Sequence, residues 1–156
     1  MAKKKVLKST QTKLNNAVTT LQNFSKSAVE GNDIILNGMF LVNDTDTPIN
    51  LTILFNNIAI GTSSDILLNT SPVIPPKFVG SVKDLTIASN KNAAGNFLNI
   101  FSAVLATNLT PVPDDLKVEI SLTNGVSTVS YPLPSFKLNS VGDRANLSIS
   151  IFFLRM

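Results

Sequence analysis

Asp44 and Asp46 stand two residues apart in the stretch Asn43-Asp44-Thr45-Asp46-Thr47-Pro48. Two carboxylates at that spacing, with loop carbonyls beside them, could hold a hard cation such as calcium. A calcium loop ordinarily adds further carboxylates and a bidentate glutamate, and neither follows here. Asp114 and Asp115 form a second pair that opens the hairpin strand, and Asp65 is expected to sit in a loop. Paired carboxylates hydrolyse glycosides at a defined separation inside an aromatic-lined cleft. This chain has no tryptophan and a single tyrosine, Tyr131. Serines and lysines are common, but none stands at a recognised nucleophile-and-base spacing. Cysteine and histidine are absent, which removes disulfides, thiolate chemistry, the usual general base and the commonest metal ligand. Neither standard form of the glycine-rich phosphate loop occurs. The residue types therefore point away from catalysis, and no cofactor or metal is expected.

A structural reading of the corner follows from the same residues. Asn, Asp and Thr side chains hydrogen-bond nearby backbone amides, and Pro48 forbids a helix. Such a corner can satisfy the main-chain groups of a chain turning from one strand to the next.

Charge is unevenly distributed. Residues 1–29 carry Lys3, Lys4, Lys5, Lys8, Lys13 and Lys26 with no acid, and the remainder is mildly acidic, for a net charge of +3. A basic arm on an acidic body suits an acidic partner surface or simple solubility. Nucleic acid is not the expected main partner, because single-strand readout needs arginines and aromatics interleaved with the charge. Arg144 and Arg155 are the only arginines. No run is long enough to span a membrane as a helix, and no apolar segment follows the basic start as in a secretory signal. A cytoplasmic or virion location is expected. Abundant Asn and Lys with few Arg fits an AT-rich coding sequence, as in certain bacteria and their viruses.

The elements that would position these residues follow from periodicity. Residues 9–30 are predicted to form an amphipathic helix, with Leu14, Ala17, Leu21, Phe24 and Ala28 at spacings of three and four, and Leu7 extending the stripe. Ser9 or Thr10 would cap it, and Gly31 would close it in the left-handed conformation. So narrow a stripe needs a surface to pack on, its own sandwich or a neighbouring subunit. From Asp33 the period becomes two. Residues 34–42 form a strand with Ile34, Leu36, Phe40 and Val42 on one face, and residues 49–55 a strand with Ile49, Leu51, Ile53 and Phe55 inward.

Residues 58–62 suggest a short strand, and residues 78–88 another, after Pro72, Pro75 and Pro76. Residues 91–95 read as a loop. Residues 96–107 show the helical spacing Phe97, Ile100, Phe101, Val104, Leu105. Asn124–Gly125 between alternating strands predicts a two-residue type I′ hairpin, with Ile120 facing Val129, Val118 facing Tyr131 and Leu116 facing Leu133. A last strand, 145–154, alternates Leu147, Ile149, Ile151 and Phe153 with serines, then turns apolar on both faces at Phe152 and Leu154. The expected architecture is a mainly β, antiparallel sandwich of one domain, 31–156, preceded by a basic arm, 1–8, and the helix, 9–30, with one further helix near 96–107.

Over residues 34–136 this pattern resembles the WHy domain of group-2 late embryogenesis abundant proteins. Asn43 sits at the corner that ends the first strand. Ile49, Leu51 and Phe55 fill the next strand, Ile58 to Gly61 a short strand ending in glycine, and Pro72 to Pro76 the proline-containing loop. Phe97 to Ala106 fall on that family's helix and Leu116 to Leu133 on its hairpin. In place of the family's Asn-Pro-Asn corner the chain has Asn43-Asp44-Thr45. The resemblance implies a β-sandwich with a helix and a binding or structural role without catalysis.

The expectation for function is a non-catalytic module in a larger assembly, such as a tail or connector subunit of a bacteriophage virion. The alternative is a free stress-protective protein. Its partners would be other protein subunits, in a homo-oligomer or a hetero-assembly. The residues expected to meet them are Lys3, Lys4, Lys5, Leu7, Leu14, Leu21, Phe24, Phe152, Phe153 and Leu154.

Overall fold

The computed structural model describes residues 25–56, 60–73, 78–107, 116–125 and 127–156. Two sheets enclose one core. The seven-stranded sheet runs in the order β1 (Lys26–Glu30), β2 (Asp33–Val42), β11 (Arg144–Arg155), β8 (Phe97–Ala106), β4 (Ile60–Leu68) and β5 (Ser71–Pro72), with β6 (Phe78–Val79) also on β4. The four-stranded sheet runs β10 (Thr128–Pro132), β9 (Val118–Thr123), β3 (Pro48–Phe55) and β7 (Val82–Ser89). A single turn of helix, α1 (Asn90–Ala93), links β7 to β8. All pairings are antiparallel except β2 with β11, which is parallel. The body is a mainly β, two-sheet protein.

Alternation places the core. Ile34, Leu36, Phe40 and Val42 of β2, Ile49, Leu51 and Ile53 of β3, and Leu147, Ile149, Ile151 and Phe153 of β11 are all buried. Each strand therefore hides one face. Phe40 and Phe153 meet edge to face, with centroids 6.1 Å apart, in the geometry their quadrupoles favour.

Two expected helices give way to strands where the structure is described. The end of the 9–30 segment, Lys26–Glu30, is β1, paired with β2. Gly31 does take a positive φ of +63°, but as the first residue of a two-residue hairpin turn with Asn32. Glycine at that position is the mark of a type II′ turn, whose twist suits a hairpin. Residues 1–8 and 9–24 lie outside the described residues. The helix expected at 96–107 is β8: Leu98, Ile100, Ser102, Val104 and Ala106 are buried, whereas Phe97, Phe101 and Leu105 face outward. A run apolar on both faces satisfies helical and strand spacing at once. The expected loop at 91–95 instead begins inside α1.

β4 is longer than its apolar residues suggest because two inward positions are polar. Ser64 and Ser102 lie opposite each other in the core and share a 2.6 Å hydrogen bond, and Thr62 Oγ1 accepts from the Gly80 amide at 2.8 Å. Partnered in this way, buried hydroxyls avoid the penalty of an unmade bond.

The β9–β10 hairpin keeps its expected faces but not its expected register. Ile120 faces Tyr131, Leu122 faces Val129, and Leu116 bridges to Phe136. The shift is two residues, which leaves every side chain on the same face. The strands separate after the Thr123–Thr128 pair, because Asn124 serves as a buried hydrogen-bonding group rather than as half of a tight turn.

Tyr131 crosses between the sheets. Its phenol donates to the Met39 carbonyl at 2.8 Å, and burial pushes its ionisation well above the ordinary tyrosine value. An unfolded tyrosine ionises near pH ~10. Above that pH the unfolded chain releases a proton that the folded chain retains, so stability falls as pH rises. Below it the contribution is fully present. The expected result is a stability that declines past about pH 10, with a shallower decline in Tyr131→Phe. Chemical denaturation across alkaline pH measures this, and tyrosinate absorbance reports Tyr131 alone because the chain has no other tyrosine.

Candidate functional site

The polar corner between β2 and β3 is closed by its own contacts. Thr45 Oγ1 donates to Asn43 Oδ1 at 2.5 Å, and Asn90 Nδ2 donates to Thr45 Oγ1 at 3.2 Å. The amides of Asn90 and Lys91 donate to the carbonyls of Thr47 and Thr45 at 2.9 and 3.0 Å. Beneath the corner, Asn124 Nδ2 reaches the Leu41 carbonyl and Asn90 Oδ1, both at 3.2 Å, and Asn124 Oδ1 accepts from the Ser127 amide at 3.0 Å. Asn90 and Asn124 are both buried. This network ties the corner, α1 and the β9–β10 loop together at one end of the sandwich.

Each of the two carboxylates of the corner is paired with a basic side chain. Asp46 pairs with Lys91 at 2.6 Å, and Asp44 with Arg155 at 3.5 Å. All four side chains are well exposed, so each pair contributes little to stability. Among the described residues no group of three potential metal ligands comes together. Asp114 and Asp115 lie outside the described residues. Asp65, expected in a loop, instead lies within strand β4 opposite Phe101, because β4 runs on past its polar inward positions.

A shallow groove of about 670 Å³ lies on the outer side of the four-stranded sheet, bordered by Thr52, Leu54, Lys117, Glu119, Ser130 and Pro132. It offers one carboxylate and one ammonium on a sheet of hydroxyls, without a convergent set of reactive groups.

The outer face of the seven-stranded sheet differs. A sheet face turned to water is normally polar. Here Phe97, Phe101 and Leu105 of β8 are 46%, 48% and 42% exposed, and Leu154 of β11 is 38% exposed. Phe152 lies against Phe97 with ring centroids 4.9 Å apart. The register carries this row on to Met39 of β2. Polar side chains interrupt the apolar rows: Ser150 donates to Asn99 at 3.0 Å, and Asn146 to Asp33 at 2.8 Å. The face is therefore mixed: Phe97, Phe152 and Met39 form one apolar row, whereas Phe101 lies between Asp65 and Ser148 and Leu105 beside Arg144.

Of the residues expected to meet partners, Phe152 and Leu154 belong to this face. Phe153 points the other way and is fully buried against Phe40, so its side chain is part of the core. Lys3, Lys4, Lys5, Leu7, Leu14, Leu21 and Phe24 lie outside the described residues. Phe97, Phe101 and Leu105 satisfy a helical spacing with Ile100 and Val104, which predicts them inward. The signal that could reveal them is the alternation Leu98, Ile100, Ser102, Val104.

Compared with known proteins, the chain matches no family model, no curated protein and no solved structure.

Proposed function

We propose that the chain is a non-catalytic structural module, a subunit of a larger protein assembly such as a tail or connector component of a bacteriophage virion. One observation carries this reading: the outer face of the seven-stranded sheet presents Phe97, Phe101, Leu105 and Leu154 to solvent. Several large apolar side chains exposed on one sheet face are costly in water and favour association there. The polar residues that could have done chemistry at the corner are engaged with one another. The basic arm, with Lys3, Lys4 and Lys5, would add an electrostatic grip on an acidic neighbour.

Phe101→Lys tests the reading. Phe101 is half-exposed, so a lysine there is tolerated by the monomer while it places a charge on the face proposed for association. Wild-type chain is expected to form species heavier than a monomer in sedimentation analysis, and Phe101→Lys to lose most of them. A wild-type chain that remains a monomer at every concentration would decide for the rival, a free stress-protective protein of the WHy type. That rival rests on the WHy-like pattern of the sequence, whose expected helix at Phe97–Ala106 is strand β8 here.

A further inference from the structure

Strand β1 is the outermost strand of the seven-stranded sheet, and all five of its residues are exposed. Glu30 pairs with Asp33 across the two-residue turn. In such a hairpin Glu30, Ala28 and Lys26 direct their main-chain groups toward β2, and Ser27 and Val29 direct theirs to the open edge. Among the described residues nothing pairs with that edge.

The rest of the same edge is closed. Past the end of β1, the next two outward carbonyls of β2 belong to Met39 and Leu41. Tyr131 caps the first with its phenol at 2.8 Å, and Asn124 caps the second with its amide at 3.2 Å. Side chains from the other sheet thus block strand addition along half of this edge. Among the described residues only β1 is left open along this edge.

Its sequence, Lys26-Ser27-Ala28-Val29-Glu30, is self-complementary in charge when read against itself antiparallel. We propose that two copies of the chain pair through β1, antiparallel and two-fold symmetric about Ala28. Ser27 then exchanges main-chain hydrogen bonds with the partner's Val29, and Val29 with the partner's Ser27. Lys26 stands opposite the partner's Glu30 at a non-hydrogen-bonded position, where cross-strand side chains are closest. Neither Lys26 nor Glu30 has an ion-pair partner among the described residues. The contact is isologous, so it closes as a dimer and does not propagate into a filament. It joins two seven-stranded sheets edge to edge and sets their outer faces side by side. The inference deepens the reading of the chain as an assembly subunit and rests on it, naming a second copy as the first partner. Five residues bury a small area, so association is weak and concentration-dependent.

The test uses the full chain, which has no cysteine of its own. In Ala28→Cys, the two new thiols face each other across the two-fold axis at a Cβ separation of about 4.5–5.5 Å, close to what a disulfide needs. Mild oxidation is expected to give a covalent dimer much faster than in Val141→Cys, a control at an exposed turn. Lys26→Glu is expected to raise the dimer dissociation constant roughly tenfold, because two like-charge pairs arise by symmetry. Lys26→Glu combined with Glu30→Lys is expected to restore it. Cross-linking no faster than the control, or no restoration by the charge swap, overturns the dimer. If heavier species then persist and depend on Phe101, the assembly reading survives without it. A β1 dimer indifferent to Phe101→Lys would stand while the outer-face reading falls. A chain that is always a monomer removes both.

Discussion

Replacing Asn124 with alanine will lower the stability of the folded chain by about 3 kcal/mol. Asn124 is buried, and its amide is engaged on both sides. The nitrogen donates to the Leu41 carbonyl and to Asn90 Oδ1, and the oxygen accepts from the amide and the hydroxyl of Ser127. Alanine removes all of these at once and leaves partners that water cannot easily reach. Each stranded buried group costs about 1–3 kcal/mol. For a chain of this size, a loss of about 3 kcal/mol corresponds to a melting-point drop of roughly 6–12 °C. Asn90→Ala should cost a similar amount, and the double variant less than the sum, because the two side chains share a bond. Asp46→Ala is the contrast. It breaks the shorter ion pair at the same corner, yet the pair is exposed and should contribute no more than about 1 kcal/mol. Urea denaturation of the four variants separates the cases. Equal small losses for Asn124→Ala and Asp46→Ala would mean that the corner is held by its backbone alone.

The corner also shows what a linear sequence can and cannot reveal. Asn43, Asp44, Thr45 and Pro48 announce a turn by their types, because each has a known backbone habit. Their partners do not announce themselves. Asn90, Lys91, Asn124 and Arg155 lie far along the chain, and only the fold brings them together. The same division holds for the strands. β2, β3, β9, β10 and β11 are legible because each buries every second side chain over most of its length. β4 is cut short on paper because Thr62 and Ser64 occupy inward positions. β1 leaves no periodic trace, since all five residues are exposed. The hairpin register is ambiguous by two because alternation has period two, and the Asn-Gly signal is overridden once Asn124 is needed inside.

The face proposed for assembly is the feature that sequence reasoning inverted. Phe97 and Phe101 are aromatic, and aromatic residues ordinarily seek the core, so a spacing of four invites a helix with both turned inward. The deciding information is in their neighbours. Leu98, Ile100 and Val104 already fill the core at every second position, and Gly95, with φ +80°, starts the strand abruptly after α1. With the inner face full, Phe97 and Phe101 have only the outside left. A core-quality side chain on the outside is the physical reason to look for a partner there.

Gly38→Ala is expected to destabilise the chain by about 2–3 kcal/mol, the reverse of the usual effect. In an ordinary strand position, alanine for glycine reduces the freedom of the unfolded chain and stabilises by about 0.4–1 kcal/mol. Gly38 takes no positive φ, so its backbone gives no reason for glycine. The reason is Tyr131. A Cβ at residue 38 would lie 2.8 Å from Tyr131 Cε1 and 3.1 Å from Cδ1, with Ile151 Cγ1 at 3.8 Å. The ring cannot yield cheaply, because its phenol is tied to the Met39 carbonyl next door and its body is buried. Either the sheets move apart or the phenol gives up its bond, which reopens the edge of β2 that it caps. Valine at the same position should cost more than alanine. The coupling is diagnostic. In a Tyr131→Leu background the ring is gone, so Gly38→Ala should lose most of its penalty and approach the ordinary stabilising value. A double-mutant cycle by chemical denaturation measures this directly. A penalty that is unchanged when Tyr131 is removed would place the constraint in the strand itself and not in the tyrosine that crosses to it.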